Sequence, residues 1–393
     1  MNSENRFQFF PALIGGLGHH YTSKRRVLGR DHLWKNKFSC SFWSDSSLFK
    51  CLNLLTSAYY SRTKTNWRAH MDIGEDATLM ADSGGFQCAT IGAKLDPLEI
   101  LKWQEVNANI AFTLDIPPVN LEQKAVGPVS TTKLVWMSDA EFNVALEKTY
   151  QNNIVFEKNR TNKNLKIYNC LHGTSEDKFD RWFNRVKDFE FEGWAYGCKP
   201  VGDPLVQSMG LSRLYHRGIR DRVHLLGVGG INVLPVLIYC TKYFTNLTVD
   251  SSSYGQGYLT KKYLIPDDLT DSISFGRLRD PDEKHYSQYD SLPCMCPVCS
   301  EVEHLEILAQ PGSIGGALIA LHNLYSIVSF VDELKMMNER ELLDYISENC
   351  PQRATEAVKF FDISVSQGHE KAMQTYRDYF SQEFVESRQL ELF

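Results

Sequence analysis

The chain contains no uninterrupted apolar stretch of about eighteen residues, so no membrane span is expected. Its opening residues, "MNSENRFQFF", lack the basic-then-apolar layout of a secretory leader, which points to the cytoplasm. Internal repeats and low-complexity linkers are missing as well. Neither charge sign dominates: 42 Lys and Arg stand against 48 Asp and Glu, a net charge of −6. That balance does not exclude nucleic acid, because large enzymes bind phosphates through a local basic strip on an acidic body. One such strip is "SKRRVLGRDHLWKNK", residues 23–37, with six Lys or Arg and a Trp. A disulfide framework is lacking too. Seven of the ten cysteines are scattered between Cys40 and Cys350, which fits a reducing compartment.

What the sequence does have is length and a recurring format. Its 393 residues, 43% of them hydrophobic, can bury a large core. Short apolar runs end in a polar residue or glycine and lead into amphipathic stretches. "ATLMADSGG" turns at Asp82, "ANIAFTLDIPP" at Asp115, "LKIYNCLHG" at His172 and Gly173, and "GWAYGC" at Gly197 and Cys198. "VHLLGVGG" follows, and "NLTVDSSS" turns at Asp250. Segments such as "DPLEILKWQEVNA" and "SEDKFDRWFNRVKDF" read as the intervening helices. Strands alternating with helices imply βα units and a parallel sheet. Adding a strand near "FFPALIGG" gives at least seven units, which favours an α/β fold of the (β/α)8 TIM-barrel type. In such barrels chemistry sits at the C-terminal strand ends, where Asp82, Asp115, His172 and Asp250 fall.

Cys294, Cys296 and Cys299 form C-x-C-x-x-C within "CMCPVC". Three thiols so close together predict a metal site, and zinc needs a fourth N or S ligand. His304 and His322 are the candidates. His322 is preferred, because it lies in the apolar helix "GSIGGALIALHNLYSI", which can fold back over the cysteine loop. A full set of protein ligands makes such a zinc structural, with no open position for hydrolysis. The spacing does not match the usual iron–sulfur patterns. Four regions follow: 1–76, the N-terminal segment with the first strand or strands; 77–285, the barrel core; 286–326, an inserted zinc-binding subdomain; and 327–393, a C-terminal extension of two or three helices.

Taken in order, "DSGGFQ" at 82–87, "GVGG" at 227–230, the strand-ending Asp250, C-x-C-x-x-C and "HNL" at 322–324 resemble the tRNA-guanine transglycosylase superfamily. The resemblance spans roughly residues 77–325. It implies a zinc-containing barrel that exchanges guanine in nucleic acid for a 7-deazaguanine. It also implies Asp250 as nucleophile, Asp82 as general acid and base, and Asp115 as the group recognising the base. Phe86 and Leu226 match residues stacking on the two faces of the base. Ser83, Gly197, Cys198 and Gly227 fall on the base-contacting turns, and His172 stands where the family usually has glutamine. The chemistry agrees with these roles. A carboxylate can hold the sugar through an oxocarbenium-like transition state while a second acid serves the departing and arriving bases.

Three departures fall on stretches expected to face the substrate: His172, Cys198 and "DSSSYGQG" after Asp250, where bacterial tRNA enzymes carry Pro-Thr-Arg. They favour the DNA-modifying, DpdA-like branch, with DNA as polymer and 7-cyano-7-deazaguanine as the incoming base. The alternatives are the same chemistry on tRNA and a non-catalytic nucleic-acid-binding subunit. Homodimers are common in the superfamily, and a helper protein such as an ATPase is a further candidate partner.

Overall fold

The computed structural model describes residues 6–13, 27–28, 38–126, 129–173, 175–197, 203–277, 283–302, 304–309 and 313–383. Most of the basic strip at 23–37, and Cys198, lie outside the described residues. Eight strands build the central wall. They are β1 Phe7–Pro11, β2 Asn53–Ser57, β3 Thr78–Asp82, β4 Ile110–Phe112, β5 Lys166–His172, β6 Gly193–Gly197, β7 Val223–Leu225 and β8 Leu247–Ser251. All seven pairings in the sheet are parallel, in the order β1-β8-β7-β6-β5-β4-β3-β2. The seam between β1 and β2 is drawn together just past β1, where Ala12 bridges Leu55 in parallel. The Leu13 amide donates to the Leu55 carbonyl at 2.7 Å. The result is the (β/α)8 barrel expected from the sequence.

The strands are apolar on both faces because each is covered twice, by the barrel interior and by the outer helices. The interior is filled by Phe10, Leu55, Met80, Phe112, Tyr168, Cys170 and Ala195, with Ala12 and Leu226 against them. Outer helices follow the strands, and their starts are written in the sequence. Asp96 caps Pro97–Asn107 through the Leu98 amide, and proline opens that helix. Ser138 and Glu141 form a capping box on Asp139–Asn159, and Ser175 caps Glu176–Val186.

Seven strands were legible in the sequence; the eighth is β2. Its five residues run straight into the short helix Ala58–Ser61 with no glycine or proline between them. A hairpin, Val119–Val126 with Val129–Trp136, is also added between β4 and its helix.

After β8 the chain makes the helix Ser253–Thr260 and the hairpin Lys262–Ile265 with Asp268–Ser274. It then enters the cysteine loop and returns as Ser313–Met336, which packs on β1 and supplies the last outer helix. The 326/327 boundary drawn from sequence therefore falls inside one continuous helix. Among the described residues Ile314–Met336 is long and apolar enough to cross a membrane by length and composition. Most of that stretch is buried inside the protein, with His322 and Asn323 near its middle, so it packs as a core helix.

Among the described residues four helices lie beyond it, where two or three were expected: Glu339–Asn349, Gln352–Gln367, His369–Thr375 and Arg377–Glu383. Gln352–Gln367 buries Ala354, Ala357, Val358, Phe361 and Ser364 at helical spacing, and packs on the barrel helix Pro204–His216. Each such large apolar side chain contributes about 1.5–3 kcal/mol on burial. Polar ties fix the register. Asp203, which caps the barrel helix, accepts from Arg353 at 2.8 Å and from the Tyr379 hydroxyl at 2.5 Å.

Candidate active site and metal centre

The C-terminal ends of the strands surround a cavity of about 270 Å³. That lies just under the range of about 300–1,000 Å³ usual for drug-sized ligands, and suits a single flat base. Asp82, Asp115 and Asp250 all line it. Phe86 and Leu226 line it too, with His172, Gly197 and Gly227. Leu55, Pro117, Pro118, Val119 and Trp136 complete the wall. Ser83 is fully buried and stands behind that wall; its hydroxyl donates to Asp115 Oδ1 at 3.3 Å.

Asp82 ends β3 and receives the Gly84 amide on Oδ2 at 3.1 Å. Burial, followed by the charges of Asp115 and Asp250, pushes its carboxyl up to about 7. The Ser57 side chain beside it and the Gly84 amide pull the other way. An acid poised there can give and take a proton near neutrality.

Asp115 follows β4 and is buried. His172, at the end of β5, places Nε2 2.7 Å from its Oδ2, while Nδ1 lies 3.2 Å from the Gly197 carbonyl. Both ring nitrogens thus face oxygen acceptors. A carbonyl can only accept, so the Nδ1 contact needs a hydrogen on the ring. Both ring nitrogens of His172 are thus engaged within the protein. Two glycines make this pair fit. A Cβ on Gly85 would lie 2.4 Å from Asp115 Oδ1, and one on Gly197 would lie 2.4 Å from His172 Cε1.

Asp250, on β8, stands opposite Phe10 in the barrel register. Its Oδ1 receives the Gly227 amide at 2.6 Å and lies 3.1 Å from His224 Nε2. His224 is fully buried on β7 and was not singled out from the sequence. The signal was available. In "VHLLGVGG" a period of two puts His224 and Leu226 on one face, just as Thr248 and Asp250 share one on β8.

The cavity wall does not include the segment after Asp250. None of residues 251–258 is among the lining residues. Tyr254 is buried; its hydroxyl donates to the Ala12 carbonyl at 2.9 Å and its ring meets Phe42 edge-on. Ser252, Ser253 and Gln256 of the same stretch are exposed.

The structure gathers Cys294, Cys296, Cys299 and His322, with all four ligand atoms within 4.8 Å of one another. His304 is exposed and outside this group. His322 Nε2 donates to the Leu264 carbonyl at 2.8 Å, which turns Nδ1 toward the sulfurs of Cys296 and Cys299, at 3.5 and 3.3 Å. Tyr263 stacks flat on the imidazole at 3.7 Å, with its hydroxyl 3.2 Å from Cys299 Sγ. Three thiols and one oriented imidazole, this close together, form a set that can hold a metal ion and fit tetrahedral zinc.

A barrel with three acids at its mouth and a Cys3His cluster after its last strand is the arrangement that the superfamily resemblance implies. No family model matches the chain. Curated relatives do. It is 25% identical over 299 residues to a tRNA-guanine(15) transglycosylase of Methanococcus aeolicus, covering 72% of this chain and 40% of the relative. It is 25% identical over 335 residues to that of Thermococcus onnurineus, covering 75% and 50%. For that of Methanosarcina mazei the figures are 25% over 319 residues, 76% and 56%. The chain thus spans about half the length of the curated relatives it matches. These homologues support kinship with the tRNA-guanine transglycosylase superfamily, and they give no support to its DNA-modifying branch in particular.

Proposed function

We propose that the chain is a pentosyltransferase that exchanges guanine in nucleic acid for another base through a covalent enzyme–nucleoside ester. One observation carries this reading: three carboxylates line one base-sized cavity, and burial pushes one of them, Asp82, up to about 7. In the first half, Asp250 Oδ2 bonds to C1′ of the target nucleotide as the C1′–N9 bond breaks. The N9 electron pair takes its proton from Asp82. In the second half, the Asp82 carboxylate takes the N9 proton of the incoming base. The C1′–N9 bond forms, and the ester bond returns its electron pair to Oδ2. Asp115 accepts from the base N–H groups, and Phe86 and Leu226 hold its faces. The target nucleotide must leave its stack to reach so small a pocket.

Cys294, Cys296, Cys299 and His322 would hold Zn2+ as a structural ion; with four protein ligands it ties the cysteine loop to the helix Ser313–Met336 and takes no part in the reaction.

The names of the relatives favour tRNA as the polymer. A second reading, DNA with 7-cyano-7-deazaguanine entering, is kept by one observation: His172, in place of glutamine, is paired with the base-recognising acid. One experiment tests both. Purified protein receives labelled guanine or labelled 7-cyano-7-deazaguanine with unmodified tRNA, duplex DNA or single-stranded DNA. Label entering tRNA supports the first reading and label entering DNA the second. No label in any polymer overturns the enzyme and leaves a nucleic-acid-binding subunit.

A further inference from the structure

His224 forms a second polar layer behind the nucleophile. It is fully buried, with Phe112 at 4.7 Å between ring centroids and Phe10 edge-on at 6.5 Å. An imidazole in such surroundings costs stability unless its nitrogens are paired. Both are. Nδ1 lies 2.9 Å from the Thr248 hydroxyl, directly opposite it in the β7–β8 register, and Nε2 lies 3.1 Å from Asp250 Oδ1. The Thr248 hydroxyl has one hydrogen to give, and its other acceptor, the Val223 carbonyl, is farther away at 3.3 Å. Given to Nδ1, that hydrogen leaves the ring hydrogen on Nε2, the form that donates to Asp250.

The Gly227 amide lands on the same oxygen. Two donors therefore meet at Oδ1, and among the described residues none reaches Oδ2. We infer that His224 is a positioning residue, which with Gly227 anchors Asp250 by Oδ1, reserves Oδ2 for the bond to C1′, and favours release of the ester. This rests on the base-exchange reading. The direction of the effect follows from charge. A donor stabilises a carboxylate more than the carbonyl oxygen of an ester. His224 thus shifts the balance away from the covalent ester and toward the carboxylate that must re-form when the second base attacks. No proton leaves Nε2 in either half-reaction.

The test uses full-length protein and the polymer that accepts label, with the adduct trapped by denaturation. His224→Phe keeps a ring between Phe10 and Phe112, removes the donor, and leaves Thr248 the Val223 carbonyl. The expected result is a roughly tenfold slower turnover, from loss of one hydrogen bond to a charged group. The trapped adduct should rise, and KM for the polymer should fall with turnover, leaving kcat/KM for the polymer as in the wild type. His224→Gln, whose amide can restore the donor, should bring both readouts back toward wild type. Adduct and turnover falling together, or neither changing, would overturn the inference. If His224→Phe does not fold, Thr248→Val serves instead. It removes only the hydroxyl that selects the ring form, and should shift adduct and turnover the same way by about threefold. An unchanged Thr248→Val overturns the inference equally. Wild-type protein that traps no polymer sinks the base-exchange reading itself, together with this inference; wild-type trapping with an unresponsive His224→Phe sinks the inference alone.

Discussion

The barrel mouth and the cysteine cluster both orient a histidine through its far nitrogen, but they use the near one differently. In the cluster, His322 is fixed by Leu264 and offers Nδ1 to a site with three thiols; a metal ion held there would take every donor and leave nothing to react. At the mouth, His172 and His224 each hold one oxygen of an aspartate that still lines the cavity wall. Among the described residues no imidazole bonds to Asp82, whose carboxyl burial pushes up to about 7. A saturated ligand set makes a clasp; a half-satisfied carboxylate makes a reagent.

The largest expected effect breaks the mouth and spares the clasp. Asp250→Asn should abolish the trapped adduct, because an amide oxygen cannot replace a carboxylate as nucleophile. Its metal content and melting temperature should stay close to wild type. Adduct formation by that variant would overturn the assignment. The converse is Cys296→Ala, or a strong chelator. Either should release one metal ion per chain, read by elemental analysis, and lower the unfolding midpoint sharply, since binding energy at a structural site is folding energy. Protein that contains no metal, or that holds it unchanged after Cys296→Ala, removes the clasp from the comparison.

Asp82→Asn sharpens the difference between the acids. A carboxyl raised from its ordinary 3.8 to about 7 holds its proton better folded than unfolded. The native state then binds more protons across that window, so stability falls as pH rises from about 4 through 7. Removing the charge should stabilise the protein above pH 7 by about 2–4 kcal/mol and do little below pH 4. Turnover should fall with it. For the wild type, kcat/KM should decline as pH rises through about 7, where the acid loses its proton; a flat profile there would contradict the role. The smallest effect is expected from His172→Gln. An amide can still donate to Asp115 Oδ2, so guanine binding should weaken by only a few-fold, measured by inhibition with the free base; complete loss of binding would contradict the pairing.

Most of this was legible because barrels put chemistry at strand ends, where Asp82 and Asp250 stop apolar runs. The cysteine spacing was equally plain, and the apolar helix pointed to His322 over His304. What stayed hidden had physical reasons. β2 passes into a helix without a punctuating residue. The hairpin from Val119 to Trp136 interrupts a βα unit, and it brings Trp136 to the pocket from 21 residues beyond Asp115. His224 sits inside a strand, where only the alternation of faces reveals it. The "DSSSYGQG" stretch follows Asp250 directly, yet it lies outside the cavity wall, and Tyr254 within it is tied to the Ala12 carbonyl.

The helix Ser313–Met336 covers β1 and also carries His322. With zinc in the clasp, one imidazole connects the supply of a trace element to the closing of the barrel wall. Zinc starvation would then act on how many molecules are folded and survive proteolysis, while each survivor keeps its full rate.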